Sequence, residues 1–231
     1  MPTQPHAETL QVLDAQANAV LGPLLETLRC VDLQVDRAHF RRAMRQVGTF
    51  LAFEIGKHLE TKPCAVETPL GHKQIDLPLE PPVLATALRA GLPFLDGFMD
   101  VFPDSDVSFF GASRAESTKP KTASDDLALN VDIGYQSLAV SAGKTMIFVD
   151  PMVATGSTIL DIYAALKARK QTPARFIVAG LVGYRDTFSR LRQAIPNIEV
   201  FFATADDKLN EQNYIVPGLG DAGDLSFGRK S

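Results

Sequence analysis

The residues from Tyr214 to Asp224, YIVPGLGDAGD, combine Gly218, Gly220 and Gly223 with Pro217 and the carboxylates Asp221 and Asp224, behind a short apolar run. Glycine at this density lets backbone approach backbone or ligand and permits positive φ. Such a loop presents a wall of peptide N–H and C=O groups, suited to a flat polar ligand read by main-chain hydrogen bonds. A second segment, TMIFVDPMVATGSTILDIYAAL from Thr145 to Leu166, runs an apolar strand into Asp150, then a turn of small residues, then a helix. Consecutive N–H groups in that turn can face an anion, and the helix N-terminus adds a favourable dipole. Thr155, Ser157 and Thr158 supply hydroxyl donors. The turn lacks the Gly-Lys-Ser/Thr ending of a Walker loop, and taken alone it reads equally well as a plain β-to-α connection with a capped helix. Together the two segments imply one site for a phosphorylated sugar and a planar base.

Regular elements must hold those loops in place. Phe40, Met44, Val47, Leu51, Ile55 and Leu59 recur at helical spacing and predict a helix from Asp36, its N-cap, to about Leu59, serving as core scaffold or subunit interface. Before it, residues 1–35 are expected to hold a helix, interrupted at Gly22-Pro23, and a connecting loop. Thr61 to Pro82 reads as a strand or two joined by irregular loops. Strand and helix signals then alternate: strand Val83–Leu88, helix Leu92–Phe102, strand Val107–Gly111, strand Thr145–Val149, helix Gly156–Arg169, strand Arg175–Val182, helix Arg185–Ala194 and strand Ile198–Ala203. Residues 112–140 break this rhythm and read as a flap or hairpin. The alternation predicts an α/β fold, a mostly parallel central sheet flanked by helices. Ligands of such sheets gather outside the carboxyl ends of the strands, where Asp150–Thr158, the Arg89-Ala90-Gly91 turn and the flap all fall.

The chain has 231 residues, 45% of them hydrophobic and 22% charged. That is globular composition, and one domain is expected over residues 1–231: an N-terminal helical segment (1–60), a flap (112–140) and a base-binding loop with the C-terminus (205–231). A net charge of −4 argues against nucleic acid as a partner, since phosphate binding calls for a basic surface. Cys30 and Cys64 are read as reduced thiols without metal-type spacing, and His6, His39, His58 and His72 share no ligand spacing. No basic start followed by an apolar core marks a secretory signal, and no apolar run approaches the ~20 residues of a membrane span. A cytoplasmic protein with no membrane partner is expected.

Three motifs in order resemble the uracil phosphoribosyltransferases. DPMVATGST, from Asp150 to Thr158, resembles that family's phosphoribosyl-diphosphate signature. ALRAGLPFLDG, from Ala87 to Gly97, resembles its Arg-Ala-Gly turn and helix, and KLNEQNYIVPGLGDAGDLSFG, from Lys208 to Gly228, its base-binding loop. The resemblance, from about Leu28 to Gly228, implies a type I phosphoribosyltransferase fold with a flexible hairpin flap and a C-terminal hood. It implies transfer of the phosphoribosyl group from 5-phosphoribosyl 1-diphosphate to uracil, giving UMP and diphosphate in pyrimidine salvage. The alternative is a non-catalytic sensor of uracil or UMP on the same fold.

By the same resemblance, Arg89 and Arg114 contact the sugar diphosphate. The loop of Asp150, Pro151, Met152, Val153, Ala154, Thr155, Gly156, Ser157 and Thr158 wraps the ribose 5-phosphate, with Asp150 on the ribose hydroxyls. Ile215, Gly220, Asp221 and Ala222 contact uracil, and Asp221 also faces the diphosphate. Asp221, Arg89 and Arg114 are the catalytic candidates. Mg²⁺ is expected to be held mainly by substrate oxygens and water, so no protein ligand is named. GTP as an effector, and the choice between homodimer and homotetramer, stay open. The sequence departs from the family at Ser157 (glycine there), at Ser113 (tyrosine), at Gly183-Tyr184-Arg185 and at Lys208. The N-terminal segment and residues 119–140 are also unlike it.

Overall fold

Strands rich in Val, Ile, Phe and Ala, apolar on both faces, belong in a parallel sheet covered by helices on both sides. The computed structural model describes residues 9–15, 18–114 and 131–229. It opens with β1 (Thr9–Val12), α1 (Leu21–Arg29) and α2 (Arg37–Gly56), followed by β2 (Thr61–Thr68) and β3 (Gly71–Pro78). Next come β4 (Val83–Leu88), α3 (Leu92–Val101), β5 (Val107–Arg114), β6 (Val131–Ser137), β7 (Thr145–Val153) and α4 (Ser157–Ala168). β8 (Arg175–Tyr184), α5 (Thr187–Ala194), β9 (Glu199–Asp206), β10 (Lys208–Leu209), β11 (Ile215–Val216) and α6 (Ala222–Phe227) complete the order.

Seven strands form one sheet in the order β1-β9-β8-β7-β4-β5-β6. All neighbours are parallel except β5 and β6. Side-chain alternation divides the core in two. Ile147, Val149, Ile177, Ala179, Phe201 and Ala203 pack with α1, α2, α3 and α6 on one face. Met146, Phe148, Phe176, Val178, Val200 and Phe202 pack with α4 and α5 on the other. At the amino-terminal ends of β8 and β9, the buried Arg175 forks onto Glu199 at 2.5 and 2.7 Å and donates to the His58 carbonyl, tying the end of α2 to the sheet.

Helix α2 starts as expected: the Asp36 carboxylate accepts from the Ala38 and His39 amides at 2.9 and 3.0 Å. Phe40, Met44, Val47, Leu51 and Ile55 are buried along one stripe. Against α3 the two backbones touch: a Cβ on Gly97 would lie 2.1 Å from the Arg45 carbonyl, and one on Gly48 2.3 Å from that of Phe94. This contact sets the angle of α3, whose N-terminus leads back to the Arg89-Ala90-Gly91 turn.

The N-terminal part differs from the sequence expectation. Thr9–Val12 is a strand parallel to β9, too short and too mixed to show a period. Gly22-Pro23 lies within the first turn of α1 rather than interrupting it, where a missing N–H costs nothing. Over Thr61–Pro82 the expected strands are present, but they form one continuous hairpin rather than being joined by irregular loops: β2 and β3 pair from Thr61↔Pro78 to Thr68↔Gly71. The expected flap begins as an antiparallel pair, β5 with β6; residues 115–130 lie outside the described residues.

The close α2–α3 approach yields a stability test. Gly97→Ala is expected to destabilise the protein by ~1–3 kcal/mol through overpacking, measured by chemical denaturation.

Candidate active site

Strands β4, β7, β8 and β9 end on one edge, and each hands the chain to a loop there. β4 delivers Leu88 to the Arg89-Ala90-Gly91 turn, with a cis peptide between Leu88 and Arg89. The buried Thr86 hydroxyl donates to the Val149 carbonyl at 2.6 Å, joining the ends of β4 and β7. Gly91 lies so close to that hydroxyl that a Cβ would sit 1.8 Å away. Arg89 donates from Nη2 to the Gly228 carbonyl at 3.3 Å and stands 3.6 Å from the Asp224 carboxylate. Its Nε is buried without a hydrogen-bond partner among the described residues.

At the end of β7, Asp150 accepts from the Met152 amide at 3.1 Å. Burial raises its pKa from 3.8 to about 6, against the smaller lowering effect of that hydrogen bond. The turn then reaches Gly156, which takes left-handed φ 77° as the cap of α4. Ser157 is the first helical residue and is not among the residues of positive φ. The departure from glycine at Ser157 therefore adds a hydroxyl without left-handed strain. Its hydroxyl lies 3.0 Å from that of Thr155. From behind, α5 supports the turn: Thr187 donates to the Ala154 carbonyl and Arg190 to that of Thr155, the latter at 3.1 Å.

After β9 the chain makes the small β10–β11 ribbon, pairing Lys208 with Val216 and Leu209 with Ile215. A cis peptide joins Val216 to Pro217, and Gly218 and Gly220 take φ of 57° and 95°. A Cβ on Gly218 would be 2.3 Å from the Ile215 carbonyl, so this turn needs glycine. Ile215 and Ala222 are buried, while Gly220 and Asp221 are exposed. Asp221 caps α6, accepting from the Asp224 amide at 2.9 Å. The loop folds onto the β4 turn: a Cβ on Gly223 would lie 3.6 Å from that of Ala90. The far end is pinned by Arg41, which donates to the Ser226 carbonyl at 2.7 Å.

The structure thus brings Arg89, the Asp150–Thr158 turn and the Ile215–Ala222 loop to one edge of the sheet. Arg114 closes β5, which is parallel to β4; its side chain lies outside the described residues. Arg185, which could reach phosphate or make a surface salt bridge, makes the salt bridge, 2.9 Å from Asp207. Sequence reading missed Arg29, Asp206, Thr187 and Arg190, which hold these loops from behind. A charged residue closing a strand, as Asp206 closes β9, was the available signal for one of them.

Helices on both faces of a parallel sheet, with a strand–turn–helix connection and a glycine-rich loop on its carboxyl edge, form a phosphoribosyltransferase-like fold. The comparisons agree. The family model "Uracil phosphoribosyltransferase" matches residues 19–229. A uracil phosphoribosyltransferase of Methanothermobacter thermautotrophicus is 37% identical over 224 residues, 96% of each chain. One of Porphyromonas gingivalis is 36% identical over 214 residues, 92% of this chain and 95% of the other. The solved AQ2163 protein from Aquifex aeolicus superposes with a TM-score of 0.77 at 26% identity, covering 95% of this chain and 98% of that one. The chain belongs to the uracil phosphoribosyltransferase family.

Burial of Asp150 predicts a pH-dependent stability. The folded state keeps the proton up to about pH 6, whereas the unfolded chain releases it near 3.8. The native state binds more protons in that window, so this residue's contribution to stability falls as pH rises through it. Asp150→Asn is therefore expected to be more stable than wild type at neutral pH, by ~1–2 kcal/mol for this part-exposed residue. The difference should vanish below pH ~4 in denaturant titrations.

Proposed function

We propose that this chain transfers the phosphoribosyl group of 5-phosphoribosyl 1-diphosphate to uracil, giving UMP and diphosphate. The observation that carries the proposal is the close approach of Gly223 to Ala90, where an added Cβ would lie 3.6 Å from that of Ala90, because it sets the glycine-rich loop beside the turn that follows β4. A sugar diphosphate and a base bound to these neighbouring loops would share one cleft.

Uracil offers O2, N3–H and O4 along one edge, an acceptor–donor–acceptor row. Main-chain groups around Ile215, Gly220, Asp221 and Ala222 would complement that row, and cytosine would leave groups unpaired at ~1–3 kcal/mol each. The amides of Val153–Thr158, with the hydroxyls of Thr155, Ser157 and Thr158, would take the 5-phosphate at the start of α4. Asp150 would accept from the ribose hydroxyls, and binding a ligand there would use the carboxylate that burial disfavours.

In the reaction the bond from C1 of ribose to the diphosphate oxygen breaks and a bond to uracil N1 forms. The N1 proton passes to a base, a role we assign to Asp221, which is exposed at the head of α6. Positive charge gathers on the sugar and negative charge on the leaving diphosphate, so catalysis is mainly positioning and electrostatics. Arg89 and Arg114 would stabilise the leaving group. Arg89 is suited to this because its buried Nε has no partner among the described residues. Mg²⁺, when bound, neutralises diphosphate charge. No three carboxylate, imidazole or thiol groups gather around a common point among the described residues, so the ion would arrive on substrate oxygens, its preferred ligands. No helix among the described residues is long and apolar enough to cross a membrane.

Purified protein with Mg²⁺ and phosphoribosyl diphosphate is expected to convert labelled uracil to UMP, and to prefer uracil over cytosine, orotate, hypoxanthine and xanthine. UMP binding without turnover would sink the enzyme reading in favour of a sensor. Asp221→Asn keeps the helix cap but not the charge; it is expected to lower kcat by ~10²-fold or more. A near-wild-type rate would remove Asp221 from the chemistry.

A further inference from the structure

Arg29, the last residue of α1, reaches the underside of the glycine-rich loop. Its two terminal nitrogens fork onto the Asp206 carboxylate at 2.9 and 3.2 Å. Nη1 also donates to the Gly218 carbonyl at 3.0 Å, and Nη2 to the Thr204 hydroxyl at 2.9 Å. The Gly218 amide in turn donates to Asp206 at 2.9 Å. Both polar groups of Gly218 are thus fixed by one ion pair whose side chains are only 22% and 11% exposed. Thr204 donates its own hydroxyl hydrogen bond to the Asp14 carboxylate in the turn after β1. Five residues beyond Arg29, Gln34 extends the contact: with its amide oriented to satisfy both ends, it donates to the Leu219 carbonyl at 2.9 Å and to Leu28 at 3.3 Å.

We propose that Arg29 and Gln34 form a clamp that sets base recognition from outside the site. They are positioning residues: their donors occupy the carbonyls of Gly218 and Leu219, which immediately precede the Gly220–Ala222 wall. Gly218 and Gly220 both take positive φ, and neither has a Cβ to limit rotation. Without the clamp the peptide planes between them can turn, and the donor–acceptor order of the wall is no longer fixed. With it, the two carbonyls face the N-terminal segment, and the wall keeps one arrangement before any ligand arrives. Pre-organisation of this kind lowers the cost of binding. An arginine is required at the centre because only its planar fork can meet a carboxylate, a carbonyl and a hydroxyl together.

The proposal rests on the base-site reading above, and the test separates the two. Arg29→Met keeps the side-chain stem and removes the donors; Arg29→Lys restores charge without the fork. Arg29→Met is expected to raise the uracil KM about 10- to 100-fold, as loss of charged hydrogen bonds does, while KM for phosphoribosyl diphosphate stays within about threefold. Arg29→Lys should recover part of the loss, and Gln34→Leu should show a smaller rise in the same direction. Amide exchange over residues 217–222 should quicken by about tenfold or more in Arg29→Met, whether or not turnover is measurable. Failure of wild type to use uracil would overturn the base-site reading; unchanged exchange in a folded variant would overturn the clamp. Equal rises in both KM values would also overturn it. If Arg29→Met fails to fold, exchange and KM in Gln34→Leu decide the matter.

Discussion

Ile147 and Val149 face one helical layer and Met146 and Phe148 the other, so the middle of the sheet is closed to solvent on both sides. This burial is the constraint from which the site follows. In β4, β7, β8 and β9, which have neighbours on both sides, the ladders take up the main-chain N–H and C=O groups, and the buried faces leave no surface for a ligand. Free main-chain groups are available only where strands stop. Because β4, β7, β8 and β9 run parallel, they stop on one edge, and loops far apart in sequence meet there. Thr86, donating to Val149 across the ends of β4 and β7, keeps two of those loops in register.

Electrostatically the edge is prepared at a cost. Asp150 is held where burial favours its neutral form, with a pKa of about 6, and Arg89 keeps a buried Nε unpaired among the described residues. Neither arrangement is what stability alone would select. A buried donor without a partner and a carboxyl shifted upward mark this edge as the candidate site. Their position at strand ends, not in the core, makes the same point geometrically.

Much of this was readable in the sequence because local chemistry and tertiary environment agree. Residues 36–59 announce α2 through a cap and a 3–4 spacing, and both hold in the structure. Val83–Leu88 and Thr145–Val149 read as strands because apolar runs of that length suit a doubly covered sheet. β1 was illegible for the opposite reason: its four half-buried residues are a strand only because β9 offers an edge. Over Thr61–Pro82 a strand or two was legible, but not their continuous pairing, since prolines at positions 63 and 78 obscure the alternation. In the site, the loops were legible from glycine and small-residue density. Their supports were not, because Arg29 and Asp206 are separated by most of the chain and neither belongs to a motif. A hydrogen bond to a carbonyl leaves no pattern in the sequence of the loop that accepts it.

Those supports share one chemistry. Arg29 donates to Gly218, Arg41 to Ser226 and Arg190 to Thr155, in each case to a main-chain carbonyl. A loop that recognises its ligand through backbone atoms must keep those atoms unspent, yet it cannot be left loose. Arginine resolves the conflict: its long side chain reaches from a neighbouring helix, its several donors hold a carbonyl from behind, and its charge strengthens each bond. Glycine gives these loops their shape and arginine removes the freedom glycine brings. The Asp150–Thr158 turn and the Ile215–Ala222 loop are built on this same division of labour, and so a chain of net charge −4 holds both loops from behind with arginines.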